Sequence, residues 1–182
     1  GDYDGVGLAR LVRRREISAR EVVDEAIERA EAVNPQLNFL THRAYEVARE
    51  AANDPALPDG PLKGVPWLMK ELASPWEGHP NTNCCPYFKD IVAPFDSELI
   101  RRMKAAGMLP FAKTTSPEQG WALSTESSMY GITRNPWNTD LTPGGSSGGA
   151  AAACATGMGA LHVGSDGERG GAIIMRSDVV GW

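Results

Sequence analysis

The stretch Thr142-Pro143-Gly144-Gly145-Ser146-Ser147-Gly148-Gly149-Ala150 constrains this chain more than any other. Four glycines around two serines permit backbone angles and close approaches that side chains forbid. Alanines follow at once, so Ser147 to Thr156 is expected to form a helix entered through glycines. A flexible linker is disfavoured because no domain-scale sequence lies beyond it. A phosphate-cradling loop is also disfavoured, since GxxxxGK[ST] is absent and no lysine follows the glycines. The better local reading is a turn that presents a serine ahead of a helix.

The rest of the chain must supply a folded frame for that turn. Its 182 residues suit one ordinary domain, and 42% hydrophobic content is enough for a core. Basic and acidic residues number 18 and 23, for a net charge of −5. The strongest basic run, Arg13-Arg14-Arg15, is explained by a helix surface, so nucleic acid is not an expected partner. Three cysteines, an odd count without CxxC spacing, argue against a disulfide framework or a zinc site. The histidines (His42, His79 and His162) are scattered, and no metal site is expected. The stretch Leu141 to Ser165 lacks charged residues, but Pro143 and seven glycines argue against a membrane helix. With no basic segment leading into an apolar one at the start, a cytoplasmic location without membrane association is expected.

Local patterns predict an α/β protein. Ser18 with Glu21 forms a capping box, and Ile17 with Val22 its hydrophobic staple. Val22, Val23, Ala26, Ile27, Ala30 and Val33 share one helical face, and Asn34-Pro35 is expected to stop that helix. A second helix is expected from Thr41 to Asn53, so the first fifty residues read as helical. Prolines and a glycine from Pro55 to Pro61 mark a loop. The apolar run Gly64 to Met69, ending in Lys70, reads as a buried strand. Asp96 or Ser97 can cap a helix from Glu98 to Ala106, with Gly107 at its exit. Strands are expected at Met108 to Ala112 and Ala160 to Val163, with mostly loop from Pro117 to Pro143. The expected organisation is one partial domain over 1–182, helical over about 1–55 and an α/β core portion over about 62–182, with an incomplete mixed sheet.

Two further places bear on chemistry. From position alone, Lys70 reads as an exposed lysine at a strand end. A catalytic role needs a neutral amine, which means lowering a pKa of about 10.4 by roughly three units, or about 4 kcal/mol. The adjacent Glu71 would oppose that shift if its carboxylate lay close. Gly164-Ser165-Asp166-Gly167, followed by Glu168-Arg169-Gly170-Gly171-Ala172, reads equally as an ordinary turn or as a source of backbone N–H groups for an oxyanion.

Together these pieces become specific. Leu62-Lys63-Gly64-Val65-Pro66 leads to Lys70-Glu71, and Ala105-Ala106-Gly107 leads to Lys113-Thr114 and Pro117-Glu118. Tyr130-Gly131-Ile132-Thr133-Arg134-Asn135-Pro136-Trp137 follows, then Pro143 to Gly149. In this order and spacing the chain resembles the N-terminal part of the amidase signature family. The resemblance implies catalysis by a serine, a second serine with a cis peptide bond, and a lysine. It makes Lys70 the base and Ser146 the bridging serine, with Gly167, Glu168, Arg169 and Gly170 as oxyanion donors. A neutral lysine would take a proton through the bridging hydroxyl and so activate the nucleophilic serine without histidine.

The family pattern after Gly-Ser-Asp-Gly runs Gly-Gly-Ser-Ile-Arg, and here the match breaks. Without a gap the nucleophile falls on Gly170, and with a two-residue insertion on Ala172. Ser165 and Ser177 are read as structural. The abrupt departure over Glu168 to Trp182 fits a shifted reading frame, a sequencing fault or a truncated gene as readily as a pseudoenzyme. The resemblance implies hydrolysis of a small-molecule carboxylic amide through an acyl-serine, with no metal or organic cofactor. Members of the family are more than twice this length, and this chain is expected to be inactive alone. The alternative is a non-catalytic binding or scaffolding protein on the same fold. Oligomeric state is left open.

Overall fold

Side-chain caps set the start of the main helices. Ser18 Oγ accepts from the Glu21 amide at 3.1 Å while the Glu21 carboxylate accepts from the Ser18 amide at 2.8 Å, which starts α2 (Ala19–Leu37). A shorter helix, α1 (Gly5–Arg13), precedes it, begun by Asp4. Ser97 caps α4 (Glu98–Ala105), and Gly107 leaves it at φ +86°. The computed structural model describes residues 3–158, 161–166 and 171–175.

Two local expectations are corrected. Helix α2 continues past Pro35 to Leu37. Proline removes only one hydrogen bond so near the end. The last turn is held instead by the Asn34 side chain, which accepts from the Phe39 and Leu40 amides at 2.9 Å each. Asn38, in the left-handed region at φ 53°, closes the helix. Thr41 does not begin a helix either. Leu40–Arg43 is an edge strand, β1, and α3 covers only Tyr45–Asn53. Pairing with a buried neighbour outweighs the weak local preference of four residues.

The central strands are β2 (Pro66–Lys70), β3 (Leu109–Thr114), β6 (His162–Asp166) and β7 (Gly171–Met175), and the sheet order is β1-β3-β2-β6-β7. Strand β2 runs parallel to both β3 and β6, while β1 and β7 are antiparallel edges, giving a mixed α/β sheet. A small hairpin, β4 (Glu126–Ser127) with β5 (Gly131–Ile132), stands apart. Every residue of β2 and β3 is buried. Helices on both faces explain this: Leu68 packs with α2, α3 and α5 (Gly148–Ala155), and Trp67 and Met69 pack with α1 and α4. Pro110 cannot donate to the ladder, and the register between β2 and β3 slips beside it.

Strand alternation then decides where the chemistry lies. Lys70 shares the face of Leu68, toward α5, and Glu71 shares the face of Met69. Strand β6 extends through Ser165 and Asp166, where a turn or donor loop was one expectation, because β7 pairs with it from His162 to Asp166.

Candidate active site

Lys70 is not the exposed strand-end lysine that its position suggests: its relative exposure is 0%. Both neighbouring strands and α5 enclose it. The amine Nζ lies 2.7 Å from Ser146 Oγ, 2.9 Å from Ser165 Oγ and 3.4 Å from the Ser165 carbonyl oxygen. Ser146 sits on the glycine loop before α5, and the Gly145–Ser146 peptide bond is cis.

The loop is held by contacts that only glycines allow. A side chain at Gly148 would collide with Thr125, and one at Gly149 would collide with Thr115. The amides of these glycines, the first of α5, donate to Thr125 Oγ1 at 3.1 Å and to the Thr115 carbonyl at 3.3 Å. Ser147 stands at the helix N-cap but does not cap it. Its hydroxyl accepts from the Ser165 amide at 2.9 Å and donates to the Ser165 carbonyl at 3.1 Å. One oxygen thus fastens the start of α5 to β6.

The structure also brings Ser165, read from the sequence as structural, to the lysine amine through its hydroxyl. Its place depends on the parallel pairing of β2 with β6, which brings residues 95 positions apart together. No local pattern carries that information. Gly167, Glu168, Arg169 and Gly170, the expected oxyanion donors, lie outside the described residues. Ala172 is on β7, with its backbone opposite Ser165.

Glu71 is as enclosed as Lys70, on the opposite face. Its carboxylate accepts from the Thr82 amide at 2.8 Å and from the hydroxyls of Thr82 and Thr41 at 2.9 and 3.2 Å. Lys113 Nζ lies 3.7 Å from it and donates to the Pro80 carbonyl at 2.6 Å. Burial pushes the Lys113 amine below the usual lysine range, with Glu71 acting in the opposite sense. Next to this pair, His42 and His79 share a hydrogen bond of 2.9 Å, and Trp76 stacks on His79 at 3.6 Å. Burial, with the charges of His42 and Lys113 acting the same way, lowers the His79 pKa to about 4. Among the described residues, no group of three or more His, Cys, Asp or Glu side chains could hold a metal ion. No helix among them is long and apolar enough to cross a membrane.

Fold and site together define a class: an α/β protein with an enclosed strand lysine hydrogen-bonded to a serine on a glycine loop. Residues 21–174 match the family model described as Amidase. The chain belongs to the amidase signature family. It is 38% identical over 165 residues to the 6-aminohexanoate-cyclic-dimer hydrolase of Paenarthrobacter ureafaciens, covering 90% of this chain and 33% of that one. It is 39% identical over 170 residues to the indoleacetamide hydrolase of Bradyrhizobium diazoefficiens, with coverage of 90% and 32%. A solved structure of 6-aminohexanoate cyclic dimer hydrolase superposes with a TM-score of 0.83 at 38% identity, over 89% of this chain and 33% of the other. The chain spans about a third of the length of these relatives.

Proposed function

We propose that Lys70 and Ser146 form the proton-relay half of an amide-hydrolysing site. The observation that carries this reading is the 2.7 Å contact between an enclosed amine and a loop hydroxyl. A neutral amine has two N–H donors and one lone pair. In that form the lone pair can accept from Ser146 Oγ–H across the 2.7 Å contact, and the Ser165 hydroxyl 2.9 Å away can accept from an N–H. Enclosure away from water disfavours an ammonium, as this role requires. The proton taken up can return to a leaving amine, which suits the breaking of a C–N bond.

The reaction of the whole-length protein is then the hydrolysis of a small-molecule carboxylic amide to carboxylate and amine through an acyl-serine. The names of the two curated relatives support that substrate class, since the cyclic dimer of 6-aminohexanoate and indoleacetamide are both carboxylic amides. This chain has glycine and alanine where the family's nucleophile would stand, so we expect it to turn over no amide by itself. Amine release from a panel of linear and cyclic amides tests this, with Lys70→Ala as background. Equal, negligible release is expected. Turnover that Lys70→Ala abolishes overturns the expectation of inactivity. Gain of Lys70-dependent turnover in Gly170→Ser or Ala172→Ser supports the relay directly.

A further inference from the structure

Positions 170 and 172 carry no hydroxyl, and the Lys70 amine lies 2.7 Å from Ser146 Oγ. We infer that in this chain Ser146 is itself a nucleophile, paired with Lys70 as a serine–lysine dyad, and that it accepts acyl or phosphonyl groups from activated donors. This rests on the reading of Lys70 as a base and differs in what that base serves.

Position distinguishes the two hydroxyls at the amine. Ser165 lies inside β6, flanked by β2 and β7, and its amide and carbonyl are both tied to Ser147. Its backbone is held in the sheet, and its hydroxyl orients the amine from the strand side. Ser146 lies on a loop. Ser146 is partly exposed, whereas the Lys70 amine beneath it is on a fully enclosed residue. Ser146 Oγ is also in direct hydrogen-bond reach of Nζ, as a general base requires.

The step balances. Ser146 Oγ attacks the phosphorus of a fluorophosphonate and passes its proton to Nζ. The O–P bond forms, the P–F bond breaks, and fluoride leaves with the electron pair. With an aryl ester, the C–O bond to the aryl group breaks and the aryloxide leaves. Activated donors are the class named because their leaving groups depart as stable anions and need no proton.

The test incubates the 182-residue chain with a fluorophosphonate and maps the adduct by intact mass and peptide sequencing, with circular dichroism as the check on folding. One adduct on Ser146 is expected, forming faster as pH rises and absent from Ser146→Ala. Lys70→Met should slow it by about 100-fold or more, the scale of general base catalysis. Ser165→Ala should keep the label on Ser146 and shift the pH midpoint of labelling, since only the amine's partner has changed. No adduct, or an adduct that forms equally fast in urea-unfolded chain, overturns the inference. A Lys70-dependent adduct on Ser165 overturns it while leaving Lys70 as base. An adduct on Ser146 that Lys70→Met leaves unchanged in rate overturns the dyad and the relay together.

Discussion

Lys70 and Lys113 stand one register position apart on adjacent parallel strands, both fully enclosed, on opposite faces of the sheet. Lys113 faces a carboxylate, Glu71, and a carbonyl. Lys70, on the other face, touches the hydroxyls of two serines. A buried ion pair holds its charges in place, whereas a hydroxyl in contact with an amine can exchange a proton with it. The pleat makes this division possible. Glu71 follows Lys70 directly, yet its carboxylate is engaged by Lys113, Thr41 and Thr82 on the far side of the sheet.

The sharpest way to break the comparison is to remove each lysine. Lys113→Met strands Glu71 as a buried, unpaired charge and should lower unfolding free energy by about 3–5 kcal/mol. Lys70→Met takes the amine away from the Ser146 and Ser165 hydroxyls and should cost about 1–2 kcal/mol. Urea unfolding measures both, and equal losses would show that the two lysines do the same structural job.

Acid titration separates the faces next. His162 pairs in register with Leu68 on β2, and burial alone lowers its pKa to about 4. The unfolded value is about 6.5, so the unfolded chain binds more protons between pH 6.5 and 4. Stability is therefore present above pH 6.5 and lost as pH falls toward 4, by about 3 kcal/mol for this fully enclosed ring. Urea midpoints measured from pH 7 to pH 4 should fall less steeply in His162→Leu than in the wild type. His79, half-buried on the Lys113 side, acts in the same direction with a smaller slope.

Two smaller effects sharpen the account of the glycine loop. Gly149→Ala forces a methyl group against the Thr115 backbone and should cost about 1–3 kcal/mol in thermal unfolding. Ser147→Ala removes both ties to Ser165 and should cost about 1–2 kcal/mol. Native-state hydrogen exchange should then show the Ser165 amide less protected.

Much of this frame was legible in the residues. Ser18 with Glu21 and Ser97 with Gly107 mark helix ends through local hydrogen bonds, which short sequence patterns encode. The apolar runs of β2 and β3 and the alanine-rich α5 are likewise local. What escaped depends on distant partners. Leu40–Arg43 is a strand because β3 lies beside it, and α2 outlasts Pro35 because Asn34 catches the amides beyond. Lys70 is enclosed because three other segments close over it. Of the site, the resemblance pointed to Lys70 and Ser146, while Ser165 and the Glu71–Lys113 pair emerged only from how strands lie together.

The single Ser147 hydroxyl that bonds both backbone groups of Ser165 has a mechanical consequence. The start of α5 and the C-terminal part of β6 are riveted at one point, where Ser165 is one half of the rivet and Ser146 precedes the other. A molecule that levers the loop outward therefore pulls on the strand as well. The positions of the loop and of the strand beside the amine are thus coupled through one hydroxyl.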